Sequence, residues 1–187
     1  GMVCHETFKT ADSKWINPNN VFSEKDKKGY INYYTKQNGE RTLVFKGRSE
    51  KMSKSKKNVV DPDSIISNYG ADTARLFMIS DSPPERDLEW SIDGIKATYK
   101  FLKKIYDHLQ KDFLFITELE PTVISKIKED ETETYNLIQK TIMGYTDDIK
   151  DYRFNTAVAK LREMANHAFK TKMSKNLSDY CWSIFLR

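Results

Sequence analysis

Only two of the 187 residues are cysteine, Cys4 and Cys181, and they stand near opposite ends of the chain. With no CxxC spacing and no cluster among three histidines, neither a disulfide framework nor a zinc site is predicted, and a reducing cytoplasm fits best. Glycine and proline are also sparse, at 7 and 5 residues, which favours long helices over frequent tight crossovers. No apolar run approaches the roughly 20 residues that span a bilayer. Polar residues follow Met2-Val3 at once, so a secretory leader is not expected. What the chain does have is charge: 31% of residues are charged, with a small formal excess of +4. That balance suits a folded protein and is compatible with nucleic acid without pointing to it.

Three short β-branched or aromatic runs open the chain: Val21-Phe22, Tyr30 to Tyr34, and Thr42 to Phe45. Gln37-Asn38-Gly39-Glu40 separates the last two, and Asn-Gly tolerates the positive φ that a type I′ hairpin requires. Lys28-Gly29 marks a looser turn, so a three-stranded antiparallel meander is predicted over residues 10–47. Arg48 to Asn58 follows with four lysines set among three serines and no periodicity, which reads as a mobile cationic loop.

Helix signals then take over. Asp61 can cap, Pro62 suits a first turn and Gly70 can end the helix; a second helix from about Asp72 should stop before Pro83-Pro84. Ser91 is placed to cap a longer helix with Ile92, Ile95, Tyr99, Leu102, Ile105 and Leu109 on one face. Ile138, Ile142, Tyr145, Ile149 and Tyr152 form the next stripe, with Tyr135, Tyr145 and Tyr152 read as core; Val158, Leu161, Ala165 and Ala168 form another behind an Asn155 cap. A last helix is expected from near Ser178. Its apolar run Ile184-Phe185-Leu186 directly before Arg187 suggests that the natural chain continues.

Lys51-Met52-Ser53-Lys54-Ser55 is the sharpest feature, since five specified residues recur by chance on the order of once in ten thousand chains of this size. It matches the KMSKS signature of class I aminoacyl-tRNA synthetases, and Asn58 to Pro62 and Tyr69 to Asp72 follow at that class's typical distances. Within the class the chain resembles the leucyl-tRNA synthetases of bacterial type. The β-rich unit sits directly before the signature, as a leucine-specific insertion does there. Trp15 to Pro18, Gly47 to Glu50, Arg75 to Met78 and Ser82 to Ser91 are similar to that family's borders. The glycine that usually follows the signature in the isoleucyl, valyl, methionyl and cysteinyl enzymes is replaced by Lys56-Lys57.

The resemblance implies an α+β fold: a small antiparallel β insertion, the KMSKS loop, a short helical connector and part of an antiparallel α-helical anticodon-binding bundle. Its divisions are 1–9 (end of the catalytic core), 10–48 (insertion), 49–60 (loop), 61–90 (connector) and 91–187 (bundle). It implies ATP-dependent activation of leucine and transfer to tRNA(Leu) by a cytoplasmic monomer, with Mg2+ accompanying ATP and no resident metal. Lys51, Met52, Ser53, Lys54 and Ser55 would hold ATP, with Lys54 the principal contact to the departing pyrophosphate and Lys51 a second. Lysine suits this as a compact charge on a flexible stem.

Arg75 would contact the acceptor stem or pair with Asp72. Lys96, Lys100, Lys103, Lys104 and the neighbouring Lys111 would neutralise RNA phosphates or form an ordinary wet helix face. Trp90 reads as a packed aromatic, and His5, His108 and His167 as isolated. The family's second ATP signature, HIGH, has no match here, His5-Glu6-Thr7-Phe8 being the nearest stretch. The piece alone is therefore expected to be inactive, needing the remainder of the catalytic core. Two other readings remain: an isoleucyl- or valyl-type synthetase, and a non-catalytic tRNA-binding module.

Overall fold

The computed structural model describes residues 1–37, 39–112 and 127–186. Two compact units emerge, Gly1–Ala74 with Glu85–Lys96, and Arg75–Pro84 with Ala97–Arg187. It is a mixed α/β structure with six α-helices among the described residues.

The first unit holds two sheets. Strands β2 (Phe8–Thr10), β3 (Trp15–Ile16), β4 (Val21–Lys25), β5 (Ile31–Gln37) and β6 (Glu40–Lys46) form an antiparallel sheet in the order β3-β2-β6-β5-β4. The predicted meander is its β4-β5-β6 half. Two further strands join it because Phe8 and Ile16 bury their side chains with Val44, against which Val21 and Tyr33 pack. Strands of two or three residues are too short for alternation to show in the sequence.

Gln37 faces Glu40, so the β5–β6 connection has two residues, and Gly39 takes φ +84° as the hairpin requires. Asn38, the other turn residue, lies outside the described residues. At the looser turn Gly29 has φ +89°, and the Asp26 carboxylate accepts from the backbone N–H groups of Lys28 and Tyr30 at 2.8 and 2.9 Å.

The second sheet is small and mixed. Strand β1 (Val3–His5) lies between β7 (Glu50–Lys51), antiparallel to it, and β8 (Leu88–Glu89), parallel to it. This corrects the expectation that residues 48–58 have no strand: Lys51 faces Cys4, and Glu50 faces His5. Helix α1 (Pro62–Tyr69) begins and ends as predicted. The Asp61 carboxylate accepts from Asp63 N and Ser64 N, and Gly70 closes the helix at φ +82°. Helix α2 (Ala71–Asp81) stops before the two prolines. The Ser91 hydroxyl caps α3 (Ile92–Asp112) by accepting from Gly94 N at 3.1 Å. Ile95 and Ile105 on α3 are buried, but Ile92 and Tyr99 are exposed, so the apolar stripe is narrower than the periodicity suggested.

In the second unit α4 (Thr132–Lys150), α5 (Phe154–Lys170) and α6 (Lys175–Phe185) pack around Ile138, Met164, Ala165, Leu177 and Trp182. The Trp182 ring lies 4.8 Å from that of His108 and 5.1 Å from that of Phe169. Helix α6 starts earlier than predicted, because the Ser174 hydroxyl accepts from Leu177 N. Ser174 is itself held by the Glu131 carboxylate, which accepts from its backbone N–H and its hydroxyl.

Two further expectations fail here for one reason. The buried stripe of α4 ends in Asp148 rather than Ile149, and Tyr152 is exposed at φ +57° instead of lying in the core. Asp148 accepts from Arg153 at 3.0 Å and pairs with Lys160, which seats Arg153 at the helix boundary. Asn155 then falls inside the first turn of α5 and cannot cap it.

Leu177 is fully buried at 0% exposure, so Leu177→Ala should cost about 2–5 kcal/mol in denaturant unfolding. A loss within error of zero would show that this core does not hold the unit together. Lys160, with Thr156 and Arg153, holds the Asp148 carboxyl down to about 2 from its ordinary 3.8, against the opposing effect of burial. A depressed folded pKa contributes stability above the unfolded value, and that contribution disappears as pH falls from about 4 to 2. Asp148→Asn should therefore lower the melting temperature at pH 7 and match the parent near pH 2. Equal melting at pH 7 would remove the network's role.

Candidate functional site

The cationic loop is built on strand β7 and closed by one buried amide. Asn58 is 0% exposed, and every polar atom of its side chain is used. Its Oδ1 accepts from Ser53 N at 2.9 Å, while Nδ2 donates to Glu50 O at 3.1 Å and to His5 O at 3.2 Å. The His5 ring returns to the same residue through Nδ1, 3.0 Å from Asn58 O. Met52 N donates to Val3 O at 3.2 Å, so the loop leaves the sheet from a fixed point. Between these anchors the chain turns twice, with Lys56 N on Ser53 O and Lys57 N on Lys54 O, both at 3.2 Å. Lys57 takes φ +55° to complete the reversal.

The entry to the loop is equally tight. Gly47 N donates to Thr7 O at 2.7 Å, and a side chain at position 47 would meet Thr7 Oγ1 at 2.6 Å. Thr7 Oγ1 in turn donates to Arg48 O at 2.9 Å. Position 47 therefore excludes every residue but glycine unless Thr7 moves.

The four loop lysines are not equivalent. Lys56 is half-buried and pairs with Glu50, whose carboxyl is held below the usual range by Lys56 first and by Arg48 after it, against burial. Lys51, Lys54 and Lys57 are exposed, and none of them has a carboxylate partner among the described residues. Ser53 and Ser55 share a hydrogen bond of 2.7 Å between hydroxyls. Met52 is half-buried beside them. The predicted residues Lys51 to Ser55 are thus brought together as a rigidly mounted loop that presents ammonium groups to solvent. Its chemistry suits a polyphosphate: separate positive charges on flexible stems, with small hydroxyls between them.

A second cationic feature lies in the helical unit. Lys100, Lys103 and Lys104 line an open groove of about 430 Å³ with Asp107, His108 and Phe169. Lys103 is 3.3 Å from Asp107, whereas the Lys104 ammonium sits 3.9 Å from the centroid of the Phe169 ring. Lys96 does not line the groove and approaches Asp93 at 3.8 Å. Arg75 is exposed on α2. The side chain of Lys111 lies outside the described residues.

Sequence reasoning did not assign roles to Asn58, His5, Glu50 or Arg162. Arg162 is half-buried, stacks 4.9 Å from the Phe101 ring and donates to Thr98 Oγ1 at 3.2 Å. Burial lowers its pKa, and no carboxylate faces it among the described residues. Only the position of Asn58, straight after the lysines, was a signal that could have been read.

Comparison with known proteins bears on this loop directly. The family model described as tRNA synthetases class I (I, L, M and V) matches residues 22–91. The leucine–tRNA ligase of Paramagnetospirillum magneticum is 43% identical over 168 residues, covering 89% of this chain and 18% of that protein. That of Rickettsia canadensis is 40% identical over 183 residues, covering 96% and 20%, and that of Wolbachia pipientis wMel is 40% identical over 193 residues, covering 100% and 21%. A solved structure, the ternary complex of Agrobacterium radiobacter K84 agnB2 LeuRS with tRNA and LeuAMS, shares the fold. Its TM-score is 0.63 at 21% identity, over 73% of this chain and 18% of that one. The chain spans about a fifth of the length of the curated relatives it matches. With the Lys51 to Ser55 signature inside the matched region, the chain belongs to the leucine–tRNA ligase family of class I tRNA synthetases.

Proposed function

We propose that, within a whole leucine–tRNA ligase, this segment carries the loop that stabilises pyrophosphate as it leaves ATP. The observation that supports the reading best is the pair of exposed ammonium groups of Lys51 and Lys54, without a carboxylate partner among the described residues, on a loop mounted by buried Asn58. In the activation step a leucine carboxylate oxygen bonds to the α-phosphorus of ATP. The bond to the β-phosphate breaks, and negative charge grows on the departing pyrophosphate. Lys54 meets that charge first and Lys51 second, and both interactions strengthen as the bond breaks, which lowers the barrier rather than only tightening ATP. Mg2+ enters with ATP as part of the substrate. The leucyl group then passes from the adenylate to tRNA(Leu), and AMP is released.

Neither lysine is placed to act as a nucleophile or base; the chemistry they offer is electrostatic. Pairing of Lys56 with Glu50 supports a division of labour, one lysine mounting the loop while the others stay available. The ends of the loop are fixed and its tip is exposed, an arrangement suited to opening for ATP and closing over it. The HIGH motif, the leucine pocket and the rest of the nucleotide-binding sheet would come from the remainder of the catalytic core. In the helical unit Lys100 and Lys104 would neutralise phosphates of the tRNA, as part of an anticodon-binding bundle. A cytoplasmic monomer completes the reading.

In the full-length protein, Lys54→Ala should lower leucine-dependent pyrophosphate exchange into ATP by about 10²-fold or more, the scale of losing one charge-stabilising donor. An unchanged rate would remove the loop from the chemistry, and exchange driven by isoleucine or valine instead would move the substrate. Asn58→Ala should remove the amide's hydrogen bonds to Ser53 N and to the carbonyls of His5 and Glu50, costing about 1–3 kcal/mol. It should also raise the KM for ATP while Lys51 and Lys54 remain in place. A normal KM in that variant would show that the loop closes without its mount.

A further inference from the structure

Among the described residues, Ser13, Lys57 and Tyr152 take positive φ without being glycine, at +64°, +55° and +57°. In this left-handed region an L side chain crowds its own backbone, so each residue carries a local cost that glycine would not. Ser13 and Tyr152 are explained by the connections they close. Ser13 turns the chain between β2 and β3, its N–H donating to Thr10 O at 3.0 Å. Tyr152 carries the chain from α4 to α5 beside the Asp148 network, and its ring meets that of Phe154 at 6.0 Å.

Lys57 is different. The reversal needs a left-handed residue at that position, because Lys57 N donates to Lys54 O while the next side chain is held on His5 and Glu50. Nothing in the turn needs that residue to be lysine, and a glycine would complete it without the cost. The lysine side chain offsets none of that cost: it makes no ion pair, hydrogen bond or ring contact among the described residues. Its neighbours sharpen the contrast. Lys56 is half-buried on Glu50 and Asn58 is fully buried, whereas Lys57 between them is exposed. The hydrogen bond from Lys57 N to Lys54 O closes a turn of four residues, which brings its end Cα atoms within about 7 Å. Two lysine stems leaving from such a turn can converge on one phosphate group.

We propose that Lys57 is a third catalytic lysine of the loop, meeting the same departing pyrophosphate as Lys54. Its ammonium stays protonated and forms no covalent bond. It adds positive charge where the bond between the α- and β-phosphates breaks and the electron pair passes to a pyrophosphate oxygen. A lysine in place of glycine then has a reason: the loop forgoes backbone stability and gains a charge at the substrate. Lys56, its nearest rival, is committed to Glu50. The assignment deepens the reading above and rests on it. An RNA phosphate is the other anion that an exposed lysine could meet, and pyrophosphate exchange, which needs no RNA, separates the two.

The test is leucine-dependent pyrophosphate exchange by the full-length enzyme, with three variants that separate charge from backbone. Lys57→Gly removes the charge and relieves the backbone. Lys57→Met removes the charge but keeps the stem and the backbone cost, and Lys57→Arg keeps both charge and cost. Lys57→Gly and Lys57→Met should each lower kcat/KM for ATP about tenfold or more, the scale of one charged hydrogen bond. Lys57→Arg should stay within about threefold of the parent. Lys172→Ala, which removes an exposed lysine of the helical unit, should leave exchange unchanged. In the 187-residue chain Lys57→Gly should keep the melting temperature or raise it by up to about 4 °C, so that lost activity is not lost fold. A lowered melting temperature would make Lys57 a structural residue and overturn the proposal. So would activity in Lys57→Met equal to that in Lys57→Arg, which would make backbone and not charge the determinant. Normal exchange with slowed charging of tRNA would give Lys57 to the RNA instead. Lys54→Ala measured alongside keeps the two readings apart. If it lowers exchange and Lys57→Met does not, only the assignment of Lys57 falls; if neither does, the loop's role falls as well.

Discussion

A single buried amide holds the catalytic-looking part of this chain in place. The Asn58 side chain ties the distant first strand at His5 to the neighbouring short strand at Glu50 and the loop at Ser53. An amide is the economical group for this task, since it offers donors and an acceptor on one planar head and carries no charge to desolvate. A carboxylate at position 58 could accept from Ser53 N but would repel both carbonyls. A leucine of similar size would make none of these three hydrogen bonds and would leave Ser53 N without its acceptor. Everything that follows from the loop, including which lysines are mounted and which are free, depends on that amide being satisfied.

The helical unit uses the same device with charge. Glu131 fastens the start of α6 through Ser174, and Asp148 sets the boundary between α4 and α5 through Arg153 and Lys160. Each carboxylate is buried and multiply hydrogen-bonded, and their pKa values are lowered chiefly by those bonds. Both sit where helices must start or stop, and the apolar core of Leu177, Trp182 and Met164 supplies the packing between them. In both units, buried polar contacts fix register while hydrophobic burial supplies cohesion.

The exposed cations are what remain when these structural pairs are set aside. Lys56 is committed to Glu50 and Lys160 to Asp148, whereas Lys51, Lys54, Lys9 and Lys36 meet no carboxylate among the described residues. A surface that keeps ammonium groups unpaired forgoes small stabilising contributions and gains a field for anions. That trade fits a polyphosphate at the loop. It is consistent with membership of a family of tRNA ligases.

Several features were determined by the sequence alone, because their physics is local. Asp61, Pro62 and Gly70 bound α1 through backbone geometry within a few residues; Ser91 caps α3 in the same way, and Gly39 turns the hairpin at φ +84°. The Lys51 to Ser55 signature was equally legible, since its residue types carry their chemistry wherever the loop is placed. Tertiary structure decided the rest. Phe8 and Ile16 became strand residues only because a third strand offered Val44 as a partner, and Glu50-Lys51 paired only because β1 lay beside it. Asp148 drew Arg153 to the helix boundary and thereby displaced Asn155, an outcome that depends on Lys160 twelve residues away. Asn58 reads as an ordinary polar loop residue until His5 and Glu50 close around it. Interactions between residues far apart in the chain leave no periodicity or spacing behind, so only the folded structure could reveal which polar groups are structural and which stay free for ligands.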